Sequence, residues 1–260
     1  MAVTAIDLNC DVGEGFGAWA PAADEELIPL VSSANVACGF HASDPRLMRR
    51  TVRLAKRHGV AVGAHPSFPD LVGFGRRMLA ATPEEIEDDV VYQVGALLAF
   101  CRAEGVALVH VKPHGALYHA AAGDAAVARA IVSAVRAVDP ALWLVCLAGS
   151  ALAREGRAAG LRCAEEAFAD RGYAPDGTLL PRGEPGAVVS DPAAAAERVS
   201  RLAFEGVIRA ADGTDLPLGA RTVCVHGDTP GAVEIARAIR ARLDREGVAV
   251  RSFAAPGSGP

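Results

Sequence analysis

Short runs of apolar and β-branched residues alternate along the chain with longer amphipathic segments. This pattern is typical of repeated strand–helix units around a parallel sheet. Seven runs are predicted to be strands, at residues 3–9, 33–38, 60–65, 108–112, 142–146, 162–167 and 222–226. An eighth run, 248–253, is predicted to be either a closing strand or a packed tail. We therefore expect an α/β protein.

Four predicted helices share one start signal, a capping residue followed directly by proline. These are Asp44-Pro45, Thr82-Pro83, Asp191-Pro192 and Thr229-Pro230. Proline suits the first helical position because its backbone needs no hydrogen-bond donor there. Glu85 follows Thr82 at the spacing of a capping box, and apolar residues at helical spacing then continue to Cys101. Glycines at 59, 105, 160, 206 and 247 are predicted to end helices.

No linker, charge block or short repeat divides the chain, so residues 1–260 are predicted to form a single domain. Seven or eight strand–helix units in one domain favour a barrel over an open, doubly wound sheet, although the pattern separates the two poorly. The polar loop 168–189, after the sixth strand, is long enough to predict a functional role.

Composition argues against several classes of function. The net charge of -5 disfavours binding to nucleic acid or to an anionic membrane. The longest apolar run, residues 141–148, is far shorter than the roughly 20 residues of a bilayer span. The N-terminus lacks the features of a secretory signal, so a cytoplasmic location is expected. The six cysteines show no metal-binding or redox spacing and are expected to be buried free thiols.

Polar and ionisable residues follow almost every predicted strand, which is where α/β enzymes build their sites. The chain contains only two lysines and two asparagines, and Lys112, Asn9 and Asn35 all lie at these strand ends. We predict that the three belong to one pocket. The alternatives are two turn-forming asparagines and a solvated lysine.

No single motif identifies the chemistry. His-Glu-x-x-His is absent and the candidate ligands are dispersed, so no metal ligands are assigned and a tightly bound transition metal is not expected. Clustered carboxylates and histidines fit general acid–base catalysis. The absence of a Walker motif and of Gly-x-Ser-x-Gly disfavours P-loop ATP binding and a serine nucleophile. The glycine-rich segment 73–77 is a candidate lid.

Seven stretches taken together resemble the LamB/YcsF family, in the expected order and over nearly the whole chain. They are IDLNCDVGE (6–14), VSSANVACGFH (31–41), GAHPSFPD (63–70), HVKPHGALY (110–118), EAFADRGY (166–173), LLPR (179–182) and VCVHGD (223–228). His119, Val12 and the tail after Val250 depart from the family pattern without weakening the resemblance.

The resemblance implies an irregular, TIM-like seven-stranded β/α barrel related to glycoside hydrolases and deacetylases. It also implies ATP-dependent opening of 5-oxo-L-proline to L-glutamate, carried out with B and C subunits. ATP, with Mg²⁺, would bind either at a non-Walker site or on the partner subunits. An older family label points to carbohydrate metabolism on weaker grounds.

Within this family we expect two groups of site residues. The catalytic group comprises Asp11, Glu14, His41, His65, Lys112 and His114. The substrate-binding group comprises Asp7, Asn9, Asn35, Glu166, Asp170, Arg171, Tyr173, Arg182, His226 and Asp228. Lys112 is expected to stabilise phosphoryl or oxyanion charge, and a carboxylate with a histidine is expected to deprotonate water. Arg171 or Arg182 is expected to offer a bidentate fork to an anion.

Two other classes of function stay open from the sequence. The chain could be a metal-dependent deacetylase or carbohydrate-active hydrolase of the same fold. It could also be a non-catalytic substrate-binding subunit whose partners carry out the reaction. A homo-oligomer is compatible with each of them.

Overall fold

Seven parallel strands form a closed barrel in the computed structural model, which describes residues 3–19 and 23–255. The barrel strands are β1 to β6 and β9, and β7, β8 and β10 lie outside the barrel. In chain order all of these strands are β1 (Ala5–Val12), β2 (Ser33–Ala37), β3 (Ala61–His65), β4 (Leu108–Val111), β5 (Trp143–Leu147), β6 (Arg162–Phe168), β7 (Val207–Arg209), β8 (Asp215–Pro217), β9 (Thr222–His226) and β10 (Ala249–Val250). Strands β1 to β6 pair in sequence, and β9 pairs with both β6 and β1. The expected seven-stranded barrel is confirmed.

Helices surround the barrel and pack on its strands and on one another. They are α1 (Asp24–Leu27), α2 (Pro45–His58), α3 (Pro83–Glu104), α4 (Gly115–Gly123), α5 (Ala125–Val138), α6 (Ala151–Ala158), α7 (Pro192–Glu205) and α8 (Ala232–Arg245). A 3₁₀ turn, Ile28–Leu30, follows α1. No helix within residues 3–19 and 23–255 is both long and apolar enough to cross a membrane.

Three of the four predicted helix starts are confirmed. Asp44, Thr82 and Asp191 cap α2, α3 and α7, and Thr82 forms the expected capping box. The fourth prediction is wrong, because α8 begins at Ala232. The Thr229 hydroxyl does not cap a helix but donates a 2.5 Å hydrogen bond to the carboxylate of Asp170.

The predicted helix ends agree with the structure. Gly59, Gly105 and Gly206 adopt left-handed conformations at the ends of α2, α3 and α7. Gly160 and Gly247 also have positive φ and follow the last residue of α6 and α8 by two positions. All six cysteines are buried and free, as expected.

The eighth apolar run forms both a short strand and a packed tail. Strand β10 pairs with Ala5 and Ile6 of β1, outside the barrel itself. Phe253 is buried just beyond it, and its ring lies 5.5 Å from His110 and 5.3 Å from Trp143. The tail therefore closes the N-terminal end of the barrel.

The hairpin of β7 and β8 was not predicted from the sequence. It lies between α7 and β9, and its two strands have three residues each. Only Ile208 is buried among these six residues, and the two three-residue strands are too short to give a clear hydrophobic pattern in the sequence.

Candidate functional site

The lower interior of the barrel is polar. Asp7, the deepest of the three polar residues of β1, is almost fully buried. Its carboxylate accepts hydrogen bonds from the hydroxyls of Ser32 and Ser33, both at 2.7 Å, and from Thr222. Burial raises the pKa of Asp7 to about 6, against the opposing effect of these hydrogen bonds. Asp7 therefore lies in the barrel base rather than in a pocket wall.

A layer of side-chain amides lies above Asp7. Asn35 donates to Asn9 Oδ1 at 2.7 Å and to Asp11 Oδ1 at 2.8 Å. Asn9 in turn donates to Glu166 Oε1 at 2.9 Å. His110 Nε2 lies 2.7 Å from Asn35 Oδ1 and donates to it, because that oxygen can only accept. Asn9, Asn35 and Glu166 were expected to contact substrate, but the structure places them beneath the cavity, where they support the groups above.

Lys112 lies on this layer and is almost fully buried. Its ammonium nitrogen is 2.8 Å from Glu166 Oε1 and 3.1 Å from Asp11 Oδ1. Burial alone would lower the pKa of Lys112, but the surrounding negative charge, led by Asp11, outweighs burial and raises the pKa well above its ordinary value. Lys112 is therefore a fixed cation at the base of the cavity.

Three histidines surround Glu14 beside Lys112. Glu14 Oε1 lies 3.1 Å from His41 Nε2, 3.3 Å from His114 Nδ1 and 4.0 Å from His65 Nε2. His65 Nε2 is also 3.3 Å from Asp11 Oδ2. These four residues, Glu14, His41, His65 and His114, are called the histidine cluster below. They lie at or just beyond the ends of four different barrel strands, which is why they meet at the C-terminal end of the barrel.

Burial affects the ionisation of the histidine cluster. Burial alone would raise the pKa of Glu14, but the contacts of its carboxylate with His114 and His41 outweigh burial and hold the pKa well below its ordinary value. Burial lowers the pKa of His41 to about 3 and also lowers that of His114. In Asp11, burial opposes ionisation, but its contacts with His65 and Lys112 keep its pKa well below the usual range.

The candidate lid, residues 73–77, packs directly against the histidine cluster. The Phe74 ring lies 5.6 Å from His41 and 5.3 Å from His114, and the Phe74 carbonyl is 2.9 Å from His114 Nε2. A side chain at Gly75 would collide with Ser67 Oγ, and this glycine has a φ of +64°. The segment therefore holds the imidazole rings in place.

A cavity of about 390 Å³ opens above these groups at the C-terminal end of the barrel. Asp11, His65, Lys112 and His114 form its base, as expected from the sequence. The rings of Phe168 and His226 stack in its wall at 5.2 Å. The predicted functional loop contributes Leu179, Leu180, Pro181 and Arg182.

Arginines occur around the cavity, but not all of them are free to bind an anion. Arg171 is buried, and it donates to the carbonyls of Ala187 at 3.1 Å and Leu180 at 2.6 Å. Arg182 is more exposed and lies 3.7 Å from Asp228. The guanidinium of Arg182 is thus the better candidate for the expected bidentate contact with an anion.

The remaining predicted residues lie around the cavity rather than in its lining. Asp170 is fully buried behind His226, and its Oδ1 lies 2.9 Å from Nδ1 of the His226 ring. The buried Tyr173 hydroxyl accepts from the backbone amide of Phe168 at 2.9 Å. Asp228 pairs at 2.5 Å with Arg76, which lines the cavity. These three residues position other groups.

Four polar or aromatic residues of the cavity lining were not among the predicted site residues: Arg76, Tyr118, His119 and Phe168. Tyr118 donates to Glu166 Oε2 at 3.0 Å, and it belongs to the HVKPHGALY stretch that carries the family resemblance. Arg76 lies in the glycine-rich segment, and His119 directly follows the HVKPHGALY stretch as a departure from the family pattern. Their positions in or beside these motifs were the available signal.

Asp7→Asn is expected to change how stability depends on pH. The folded protein holds a proton on Asp7 up to about pH 6, whereas the unfolded chain releases it near the ordinary aspartate value of 3.8. The folded state therefore binds more protons between these values, and wild-type stability falls as pH rises through this window. The asparagine variant lacks this effect, so its unfolding free energy relative to wild type should rise by about 2–3 kcal/mol from pH 4 to pH 7. Urea unfolding of both proteins across that range measures it, and a constant difference contradicts it.

Comparisons with known proteins agree with the architecture. A model described as the LamB/YcsF family matches residues 6–257. A protein from Symbiobacterium thermophilum, named as the A subunit of 5-oxoprolinase, is 56% identical over 256 residues, covering 98% of this chain and 97% of that protein. One of the same name from Thermus thermophilus is 55% identical over 248 residues, covering 95% and 99%. The crystal structure of a lactam utilization protein from Thermus thermophilus matches with a TM-score of 0.91 and 54% identity, covering 96% of this chain and 100% of that one.

Proposed function

Because this chain belongs to the LamB/YcsF family, we propose that it is the A subunit of a 5-oxoprolinase and opens the lactam ring of 5-oxo-L-proline. The family resemblance expected from the sequence motifs is confirmed by this membership. Full-length relatives that carry the name of the 5-oxoprolinase A subunit, and a structural relative named for lactam utilization, support the proposal. The observation that carries it is the buried Lys112 cation beside Asp11 and the histidine cluster, at the base of a cavity with arginines around it.

The size and charge of the cavity suit a small anionic lactam. A volume of about 390 Å³ accommodates a five-membered ring with its carboxylate. Arg76 and Arg182 give its entrance positive charge, which favours a carboxylate or a phosphorylated intermediate. Phe168 and His226 offer flat ring surfaces in the wall.

The proposed reaction uses ATP because an unactivated lactam is a poor electrophile. The γ-phosphoryl group is transferred to the lactam oxygen and ADP leaves. Water then attacks the activated carbon, and the carbon–nitrogen bond breaks with the ring nitrogen taking a proton. The resulting acyl phosphate reacts with a second water and releases phosphate and L-glutamate. ATP, with Mg²⁺, binds the partner subunits or a non-Walker site of this chain.

The residues at the base of the cavity have separate roles in this proposal. Lys112 stabilises negative charge that develops on the lactam or phosphoryl oxygens, as a preorganised cation does in a buried site. Asp11 orients water and accepts its proton, and His65 Nε2 lies 3.3 Å from its carboxylate. Glu166 and Asn9 hold Lys112 in place from below, through contacts of 2.8 and 3.3 Å.

Arg182→Met is expected to weaken substrate binding more than turnover. The guanidinium lies at the entrance, so it contributes attraction for an anion without contacting the reacting carbon. Loss of one charged hydrogen bond of about 1.5–3 kcal/mol corresponds to an increase in KM of roughly 10-fold to 100-fold. Steady-state kinetics on the assembled enzyme measure it. Arg129→Met, which removes an exposed arginine of α5, is the matched control. A changed kcat with an unchanged KM contradicts this role.

The function is tested by adding the chain back to its partners. Glutamate and ADP are measured from 5-oxoproline and ATP with B and C subunits, in the presence and absence of this chain. Glutamate that forms only when the chain is present supports the proposal, and an equal rate without it overturns the proposal. Acetate release from acetylated sugars by the chain alone would instead support the deacetylase class. Turnover that survives every replacement at the cavity base would support a non-catalytic binding role.

A further inference from the structure

We propose that Glu14, His65 and His114 bind a divalent transition-metal ion, with His41 orienting Glu14. The three ligand atoms are Glu14 Oε1, His65 Nε2 and His114 Nδ1, which lie 3.0 to 4.0 Å from one another. The inference concerns the binding of an ion and does not rest on the proposed reaction.

The hydrogen bonds of the two imidazoles fix which nitrogen carries the proton. His65 Nδ1 lies 2.7 Å from the carbonyl of Lys112, and His114 Nε2 lies 2.9 Å from the carbonyl of Phe74. A carbonyl oxygen only accepts, so both of these nitrogens carry hydrogen. In the neutral rings, His65 Nε2 and His114 Nδ1 therefore carry lone pairs, and they face each other at 3.0 Å.

Two carboxylate oxygens, which also carry lone pairs, lie close to these two nitrogens. Glu14 Oε1 lies 3.3 Å from His114 Nδ1, and Asp11 Oδ2 lies 3.3 Å from His65 Nε2. Three electron-pair donors, Glu14 Oε1, His65 Nε2 and His114 Nδ1, thus converge on a buried site with Asp11 Oδ2 beside it, and the ring N–H groups of both histidines point elsewhere. Such an arrangement needs a cation between the acceptors, either a shared proton or a metal ion.

The spacing and the outer contacts favour the metal ion. Ligand atoms at about 2.0–2.1 Å from an ion lie roughly 2.8–3.4 Å apart at neighbouring octahedral or tetrahedral positions, and about 4.0–4.2 Å apart at opposite octahedral positions. The separations of 3.0, 3.3 and 4.0 Å fall within these ranges. Metal-binding histidines characteristically donate their second ring N–H to a carbonyl or carboxylate, as both histidines do here. His41 Nε2 donates to Glu14 Oε1 at 3.1 Å and so orients the carboxylate ligand.

The donor set also indicates the kind of ion. Two imidazoles and one carboxylate suit Zn²⁺, Mn²⁺, Fe²⁺, Co²⁺ or Ni²⁺ rather than Ca²⁺ or Mg²⁺. His65, His114 and Asp11 line the cavity, whereas Glu14 lies behind them. A bound ion would therefore keep an open coordination position toward the cavity, where it could polarise water or a carbonyl oxygen.

The full-length chain, freed of metal by a chelator, is titrated with Zn²⁺ and separately with Co²⁺. Elemental analysis after gel filtration gives the stoichiometry, and visible absorption of bound Co²⁺ reports its ligands. We expect one ion per chain. His114→Gln and Glu14→Gln should weaken binding at least 100-fold, and His41→Phe, which removes only the outer contact, about 10-fold to 100-fold. His58→Gln, at the exposed end of α2, is the control and should bind like wild type.

Two results would overturn the inference. One is the absence of stoichiometric binding by the wild type, which would leave a shared proton between the two imidazoles. The other is binding that persists in His114→Gln and Glu14→Gln with a sulfur-to-cobalt charge-transfer band. That band would place the ion at Asp11, Cys224 and His226, whose ligand atoms also lie within 4.8 Å of one another.

Discussion

Lys112→Met is expected to destabilise the protein by about 3–5 kcal/mol and to abolish glutamate formation. The ammonium group neutralises two buried carboxylates, Asp11 at 3.1 Å and Glu166 at 2.8 Å. Methionine fills a similar volume but leaves two buried carboxylates without a counter-charge, and removing one partner of a buried ion pair is strongly destabilising. The same substitution removes the cation that is proposed to stabilise the reacting oxygens.

The other lysine of the chain supplies a matched control. Lys56, in α2, is exposed and donates to the carbonyl of Glu104 at 2.6 Å. Lys56→Met should change the unfolding free energy by less than about 1 kcal/mol and leave turnover unchanged. Urea unfolding followed by circular dichroism gives the stabilities, and turnover is measured where both variants are folded. A Lys112→Met protein as stable and as active as Lys56→Met would contradict the account of the cavity base.

Gly63→Ala is expected to destabilise the protein by about 3 kcal/mol. Gly63 lies on β3 inside the barrel, and a β-carbon there would overlap the imidazole of His110. His110 has no room to retreat, because it is fully buried between Asn35 and the ring of Phe253. The substitution should therefore disturb the amide layer that supports Lys112.

Gly95→Ala is the control for the conformational effect of removing a glycine. Gly95 lies within α3, and nothing lies within 4 Å of its added β-carbon. Alanine there should stabilise the protein by about 0.5–1 kcal/mol, because glycine is a poor helix former. Urea unfolding of the two variants should give changes of opposite sign. Equal stabilities of Gly63→Ala and wild type would contradict the packing described for His110.

The fold was largely predictable because its signals are local. Each barrel strand is a short apolar run, and Asp44, Thr82 and Asp191 mark helix starts within a few residues. Thr229-Pro230 carries the same local signal but fails, because the Thr229 hydroxyl bonds to Asp170, which is distant in sequence. The β7–β8 hairpin has too few buried side chains to give a pattern.

The direction of the site residues was predictable, but their depth was not. Alternation along β1 correctly placed Asp7, Asn9 and Asp11 on the same side of the strand. Successive residues rise about 3.3 Å along a strand, so Asp7 lies roughly 13 Å below Asp11. Only Asp11 reaches the cavity. Strand pattern alone does not show where along a barrel the packed interior ends and the pocket begins.

The strand ends predicted that the histidine cluster would share one site, but ligand spacing did not predict a metal site there. The four members of the cluster belong to four strand ends. Consecutive members are separated by 24 to 49 residues along the chain. Metal motifs are recognised when ligands share one helix or loop, and these do not. The side-chain contacts of the folded barrel bring them together.

We propose that the chemistry on 5-oxoproline takes place in the cavity of this chain, and the Asp11→Asn variant is the sharpest test of this location. The asparagine oxygen can still accept from Asn35 and Lys112, and its amide can donate to the lone pair of His65 Nε2. The fold should therefore persist while the carboxylate is lost. Asp191→Asn, which keeps a good cap on α7, is the control.

The measurement is the rate of glutamate formation from 5-oxoproline and ATP by the assembly that contains each variant with its B and C partners. We expect Asp11→Asn to lower this rate at least about 100-fold relative to wild type, and Asp191→Asn to leave it unchanged. A wild-type rate with a folded Asp11→Asn chain would overturn this assignment and place the reaction elsewhere in the assembly.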